Sequence, residues 1–146
     1  MNEHNEPRCC FDAAAYTGTP DALPCPQVVD VPSTIKKLDK ILNAENLSAA
    51  ASLLDEKCSL ARENGDWRSE LSLQNEQLGL HRRTGDLRAA QSAVDRCLTL
   101  IREHRLGATV SGATVMLNAA TTMKFLGHSD EALPIFRHVS RIYSEH

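Results

Sequence analysis

Apolar residues recur every three or four positions along most of the chain after Pro32, which is the spacing of one face of an α-helix. Several of these stripes follow a residue that can cap a helix start, such as Asn46 or Asp66, and several end at a glycine, such as Gly85. The pattern therefore predicts six helices, and the turns between them are so short that neighbours must run antiparallel. The expected ranges are 33–44, 47–63, 67–84, 87–105, 109–126 and 129 to the end.

The chain also repeats itself. The six residues that begin at Gly85 align with the six that begin at Gly127, and with the six that begin at Glu45. A repeated helix–turn–helix unit of this length is typical of an α-solenoid, in which each pair buries its apolar face against its neighbours. We therefore predict an all-α fold of about three helix pairs. The expected repeats are 33–64, 66–105 and 108–146.

Trp67 and the last helix give further expectations. Trp67 opens the third helix on the same side as Leu71, so it is expected to be buried between the first and middle pairs. Ser129 is expected to cap the sixth helix, and Pro134 to lie in its first turns, where a missing N–H costs least.

The stretch LNAATTMKFLGHSDEALPIF, which begins at Leu117, resembles the tetratricopeptide repeat. The family places a small residue where the two helices of a pair touch, matched by Ala120 and, in the middle repeat, by Gly79. It also places an alanine early in the second helix and a large apolar residue four positions later. These are matched by Ala50, Ala90 and Ala132, and by Leu54, Val94 and Phe136.

The resemblance covers residues 33–146 and implies a right-handed solenoid. The chain departs from the family pattern in several places. Its period is 40–42 residues, whereas the commonest tetratricopeptide period is about 34. Glu45 replaces the turn glycine of the first repeat, Gly79 lies one residue nearer its turn glycine than Ala120 does, and the proline that often closes a repeat is missing.

The segments NEQLGLHRRTG, LNAATTMKFLG and EALPIF are more narrowly similar to uncharacterised tetratricopeptide proteins of Firmicutes bacteria, in which further repeats follow. The resemblance leads us to expect that the chain is a fragment or a truncated product. Ala132, Phe136, Val139 and Tyr143 would then face the fifth helix, and Leu133, Ile135 and Ile142 would face the place of a following repeat. Such an edge is expected to fray or to pair with a second copy.

Residues 1–32 are expected to form a tail that is either disordered or extended. This stretch holds five of the six prolines and a charge balance of −4, whereas the rest of the chain has a balance of +1. A few apolar side chains offer contacts through which an extended tail would dock on the helices. They are Phe11, Tyr16, Val28, Val29 and Val31.

Composition narrows the classes of function. No apolar run is long enough to span a membrane and the polar N-terminus is not a secretory signal, so we expect a cytoplasmic protein. No basic stripe indicates nucleic-acid binding. The five cysteines fit no disulfide or zinc pattern and are expected to be free thiols, with Cys58 and Cys97 as small buried hydrophobes. No catalytic motif, metal motif or cofactor motif occurs, so we expect neither an enzyme nor a cofactor.

The tetratricopeptide resemblance implies a binding groove on the concave face, lined by the first helix of each pair. Its cationic side chains would bind a carboxylate. This predicts a scaffold that binds a peptide or a protein segment, and an effector-sensing or peptide-sensing module of a bacterial regulator is the alternative. Self-association through the C-terminal edge also stays open. The candidate groove residues are Asn75, Gly79, Arg82, Arg83, Thr114, Leu117, Thr121, Lys124 and Phe125.

Overall fold

The computed structural model describes residues 11–20 and 24–146, and within them the chain is helical, with no β-strand. The all-α prediction is confirmed, and each of the six helices begins within two residues of its predicted start. A short 3-10 helix, Ala13–Ala15, precedes them. The helices are α1 (Val31–Asn43), α2 (Leu47–Glu63), α3 (Trp67–Thr84), α4 (Leu87–Glu103), α5 (Val110–Phe125) and α6 (Ser129–Glu145).

Side-chain caps explain most of these boundaries. Each cap residue accepts a hydrogen bond from the backbone N–H three positions later, which satisfies one of the free donors at a helix start. α1 begins two residues before the expected position because Asp30 caps it and Pro32 fits its first turn. The caps of the first five helices are Asp30, Asn46, Asp66, Asp86 and Thr109.

The start of α6 differs from prediction. The capping residue is His128, whose side chain makes no cap hydrogen bond, so Ser129 is the first helical residue and not the cap. Pro134 is therefore the sixth residue of the helix. It has no backbone N–H to donate, so the backbone carbonyl of Asp130 loses the helical hydrogen bond that it would otherwise accept. The acidic side chains of Asp130 and Glu131 favour this helix start instead.

Consecutive helices pack against each other along the whole chain, and α3 also contacts both α1 and α5. The first helices of the three pairs therefore lie side by side. α2 packs between α1 and α3, α4 packs between α3 and α5, and α6 packs on α5. This order places the surfaces of α1, α3 and α5 next to one another.

The interior consists of two groups of buried apolar side chains, which meet on opposite sides of α3. The first group joins α1, α2 and α3, and includes Leu73 and Leu80 of α3. The second group joins α3, α4, α5 and α6, and includes Leu71 and Leu78 of α3. α3 is thus the helix that the two groups share.

The cysteine prediction is confirmed for the part of the chain that the structure describes. Cys58 and Cys97 are buried in the interior, and Cys25 is partly exposed; all three are free thiols. Burial raises the pKa of the Cys58 thiol to about 12, and it raises the pKa of Cys97 as well. Cys9 and Cys10 lie outside the described residues.

Trp67 does not occupy its predicted place. Its indole is only partly buried and packs against the group formed by α3 to α6, not between the first and middle pairs. The ring stacks on His104, with centroids 3.8 Å apart. The reason is its position as the first residue of α3, which sets it beside the connection from α4 to α5.

The predicted orientation of α6 is wrong by part of a turn. Ile135 and Ile142 are 3% and 5% exposed, so they face the interior and not a following repeat. Tyr143, which was expected to face α5 from a buried position, is 40% exposed. The buried stripe runs through Ala132, Ile135, Val139 and Ile142, a spacing of three, four and three residues. Leu133 is 47% exposed, as expected.

The described parts of the N-terminal tail lie against the helices. Phe11 and Tyr16 pack on the α3–α6 group, and the backbone N–H of Gly107 donates to the Tyr16 carbonyl at 2.8 Å. Val29 is buried in the α1–α3 group and Val31 packs against it, whereas Val28 is exposed. Of the two expectations for the tail, these residues follow the docked one.

Candidate functional site

A groove of about 370 Å³ lies where α1, α3 and α5 meet. We call it the first-helix groove. Apolar side chains form much of its lining: Val31, Ile35, Trp67, Leu71, Leu106 and Val115. Polar side chains complete it: Arg68, Ser72, Asn75, Glu76 and Ser111.

Two rows of side chains meet beside this groove. Asn75, Gly79 and Arg82 are spaced by four and three residues, so they share one side of α3. Asn118 and Thr122 lie one turn apart on the facing side of α5. The Asn118 Nδ2 donates to Asn75 Oδ1 at 2.9 Å, and Arg82 Nη1 donates to Thr122 Oγ1 at 2.6 Å. These two bonds hold α3 and α5 together along the groove edge.

Gly79 lies between the two bonds. It is partly exposed, and a Cβ at this position would meet only Arg82 Nη2, at 3.9 Å. The glycine therefore leaves open space between Asn75 and Arg82, and no packing contact requires it.

The predicted groove residues divide into two sets. Asn75, Gly79 and Arg82 come together on α3, but of these only Asn75 lines the first-helix groove itself. Arg82 is already engaged by Thr122. Arg83 is exposed near the C-terminal end of α3.

The predicted residues of α5 lie away from the groove lining. The Thr114 hydroxyl is 2.8 Å from the Tyr143 hydroxyl, so it is tied to α6. Leu117 packs against the interior, and Thr121 donates to the Leu117 carbonyl within the helix. Lys124 and Phe125 are exposed at the end of the helix.

Charge is distributed unevenly along the face that contains the groove. Burial raises the pKa of Glu76 above its ordinary value, and the nearby carboxylate of Asp39 on α1 raises it further. The C-terminal end of α3 instead carries Arg82 and Arg83, and Lys124 ends α5. Seven residues of helix separate Glu76 from Arg83, which is roughly 10 Å. The acidic side chains of this face therefore lie near the middle of α3, between Arg68 at its start and Arg82 and Arg83 at its end.

Sequence reasoning missed most of the apolar lining. Leu71 was assigned to the interior, Trp67 to another packing position, and Val31 to the tail. Ile35 was placed on an apolar stripe with no prediction about a groove. The available signal was that α1, α3 and α5 each carry apolar residues within their first two turns.

A second cavity, about 210 Å³, lies between α2 and α4, and polar side chains of α3 line its base. Arg96 binds buried Glu70 through two hydrogen bonds, at 2.6 Å and 2.9 Å. Gln77 donates to Asp55 at 3.2 Å, and its carbonyl oxygen lies 2.9 Å from His81 Nε2. Because these buried groups satisfy one another, this cleft has a structural explanation and needs no ligand.

No three side chains of His, Cys, Asp or Glu gather to hold a metal ion within residues 11–20 and 24–146. In the same residues no helix is both long enough and apolar enough to cross a membrane.

No protein-family model matches the chain, and no similarity to a curated protein or to a solved structure was found.

Proposed function

We propose that this chain is a protein-interaction module that binds an extended peptide segment of a partner in the first-helix groove. The proposal includes a right-handed solenoid of the tetratricopeptide type, with the groove on its concave side. It also assigns a binding role and not a catalytic one. The side-by-side packing of α1, α3 and α5 supports it, because that packing creates one continuous surface from three repeats.

The apolar lining supplies affinity. Trp67, Leu71 and Val115 offer a surface on which one or two apolar side chains of a partner can be buried. Burial of such a side chain contributes roughly 1.5–3 kcal/mol. A cavity of about 370 Å³ is large enough for side chains of this kind.

The pair formed by Asn75 and Asn118 is the observation that carries the proposal. Asn75 uses its oxygen and Asn118 uses its nitrogen in their mutual bond. The Asn75 nitrogen and the Asn118 oxygen make no other hydrogen bond within the described part of the chain, which leaves one donor and one acceptor beside an apolar groove. A peptide bond offers the complementary acceptor and donor, so this pair can bind the backbone of an extended segment regardless of its sequence.

The uneven charge gives the segment a direction. Arg83 and Lys124 favour an acidic residue, or a free C-terminal carboxylate, at their end of the face. Glu76 and Asp39 favour a basic residue roughly 10 Å nearer the start of α3. The expected partner segment is therefore extended, with an apolar side chain at one end, an acidic group at the other and a basic group between them.

Site-specific photo-crosslinking tests the proposal. A photoreactive residue replaces Ser111 on the groove rim, and in a control it replaces Ser92, which is exposed beside the α2–α4 cleft. The segment captured only from position 111 is then synthesised and titrated calorimetrically. Asn75→Ala and Asn118→Ala should each weaken binding about tenfold, whereas Gln91→Ala on α4 should leave it unchanged. Equal affinity of all the variants would contradict the proposal.

The alternative is a sensing module of a bacterial regulator, and it would use the same groove. The two functions differ in what binding changes. Ligand binding to a scaffold changes the amide-exchange protection only near the groove. Ligand binding to a sensor also changes the protection of distant helices. Amide exchange with the titrated peptide distinguishes them, because a change in α6 would favour the sensor.

A further inference from the structure

Residues 24–30 run across the start of α3 and are fixed there by Asp66. The backbone N–H groups of Val28 and Val29 both donate to Asp66 Oδ2, at 2.9 Å and 3.1 Å. The Ser69 hydroxyl donates to the Val29 carbonyl at 3.3 Å. Val29 is only 3% exposed, so both its backbone and its side chain are held.

The two oxygens of the Asp66 carboxylate differ in their main contacts. Oδ1 accepts the Ser69 backbone N–H at 3.2 Å, which caps α3, and Cys25 Sγ of the tail lies 3.8 Å from it. Oδ2 accepts the two amides of the tail. Asp66 itself is 1% exposed, so solvent offers its carboxylate little alternative hydrogen bonding.

The same tail segment adjoins the first-helix groove through a second cavity. A smaller cavity of about 220 Å³ lies between the tail and α3, lined by Cys25 and Gln27 on the tail side. Val31, Arg68 and Ser72 line both this cavity and the groove. Movement of the tail away from α3 would therefore open the smaller cavity and extend the groove toward the start of α3.

We propose that residues 24–30 are a strap that limits access to the end of the first-helix groove near the start of α3, and that Asp66 is the latch that holds it. When the two bonds to Oδ2 break, the strap leaves and the smaller cavity joins the groove beside Val31. Occupancy of the enlarged groove and docking of the strap then compete. Only the nature of what enters the groove rests on the proposed function.

Asp66→Asn separates the latch from the cap. The amide oxygen of asparagine still caps α3, because Asn and Asp are equally good in that role. Its NH₂ group replaces the oxygen that Val28 and Val29 use, so donors face donors and the strap loses both bonds. Loss of hydrogen bonds to a charged acceptor should increase opening of the strap about tenfold or more. Asp86→Asn, at the exposed cap of α4, is the matched control.

Two measurements on the full chain report the change without any ligand. In the first, amide exchange of residues 27–31 should accelerate about tenfold in Asp66→Asn, while α4 and α5 keep their protection. In the second, Val31→Cys and Ser111→Cys place thiols on the groove lining for alkylation by iodoacetamide. Asp66→Asn should accelerate alkylation at position 31, which is partly buried and lines both cavities, and leave exposed position 111 unchanged.

Unchanged exchange in residues 27–31 would overturn the latch. Faster exchange throughout α3, α4 and α5 would also overturn it, since Asp66 would then support the whole fold. Faster exchange in residues 27–31 without faster alkylation at position 31 would show that the strap does not limit access to the groove. None of these outcomes depends on the identity of a peptide partner, so the strap can fail while the proposed function stands, and the reverse.

Discussion

Arg96 of α4 binds Glu70 of α3 through both oxygens of a carboxylate that is only 1% exposed. This bidentate pair joins the two helices of the middle repeat at the edge of their interior. The hydrogen bond to Glu70 raises the pKa of Arg96, with partial opposition from burial. The Glu70 carboxylate has thus exchanged its hydration for a single cationic partner and a long contact to Gln74.

Loss of the Arg96 side chain should strongly destabilise the fold. Arg96→Ala leaves a buried carboxylate without its cation and is expected to lower the free energy of unfolding by about 3–5 kcal/mol. Replacement of both residues by leucine should recover most of the loss, because the buried charge disappears with its partner. Arg88→Ala, on an exposed position of α4, serves as the control in urea titration. A loss below about 1 kcal/mol for Arg96→Ala would show that water reaches Glu70.

The contribution of Asp66 to the free energy of unfolding should depend on pH. Burial raises its pKa, but hydrogen bonds from Ser69, Val28 and Val29 outweigh burial and bring the pKa below the ordinary value of 3.8. A carboxylate whose folded pKa is lowered stabilises the fold above the ordinary pKa and loses that effect as pH falls through the folded value. The difference in unfolding free energy between the native chain and Asp66→Asn should therefore be full at about pH 6 and should shrink as the pH falls below 3.8 toward the lowered pKa. A difference that grows on acidification would contradict the assignment.

Trp67→Ala should destabilise the protein moderately. The indole is partly exposed and its stacking partner is His104, so the expected loss is about 1–2 kcal/mol, below the 3–5 kcal/mol typical of a fully buried aromatic residue. Chemical denaturation measures it. Because Trp67 is the only tryptophan, its fluorescence also reports directly on the first-helix groove, and a bound peptide should change it.

The last helix is expected to be as protected from amide exchange as α4. Ile135, Val139 and Ile142 are buried along it, so the fraying that the sequence suggested has no structural basis. Exchange that is fast from Ile135 onward would contradict this.

Pairing with a second copy through the C-terminal edge remains a prediction. Leu133 and Tyr143 of α6 and Val110 of α5 are all at least 40% exposed. Leu133→Lys should abolish any concentration-dependent association seen by light scattering, whereas Leu87→Lys, at an exposed position on α4, should not. A mass independent of concentration in the native chain would exclude the pairing.

Local patterns were sufficient to place the helices, because a cap such as Asp66 and a stop such as Gly85 act within a few residues. They were insufficient to orient α6, since six apolar residues in 11 positions allow two inward faces less than a turn apart. The sequence that contains Leu133, Ile135 and Phe136 fits either face. Only packing against α5 decides between them.

The candidate site depended on contacts that no local pattern encodes. Asn75 and Asn118 are 43 residues apart, and Arg82 and Thr122 are 40 apart. Their pairing follows from the side-by-side packing of α3 and α5. The tetratricopeptide resemblance predicted Asn75 as a groove residue, and Asn75 lines the first-helix groove, which lies nearer the start of α3, beside Trp67 and Leu71.

The position of α3 in both interior groups affects how the molecule unfolds. Leu73 and Leu80 belong to one group and Leu71 and Leu78 to the other. Disorder in α1 and α2 removes one flank of α3 while the other flank stays packed, so the first pair can open as a separate cooperative unit. The tail is the second tie between the two groups, because Val29 enters one while Phe11 and Tyr16 contact the other. Mechanical pulling on the first pair should therefore meet resistance first from the tail and then from α3.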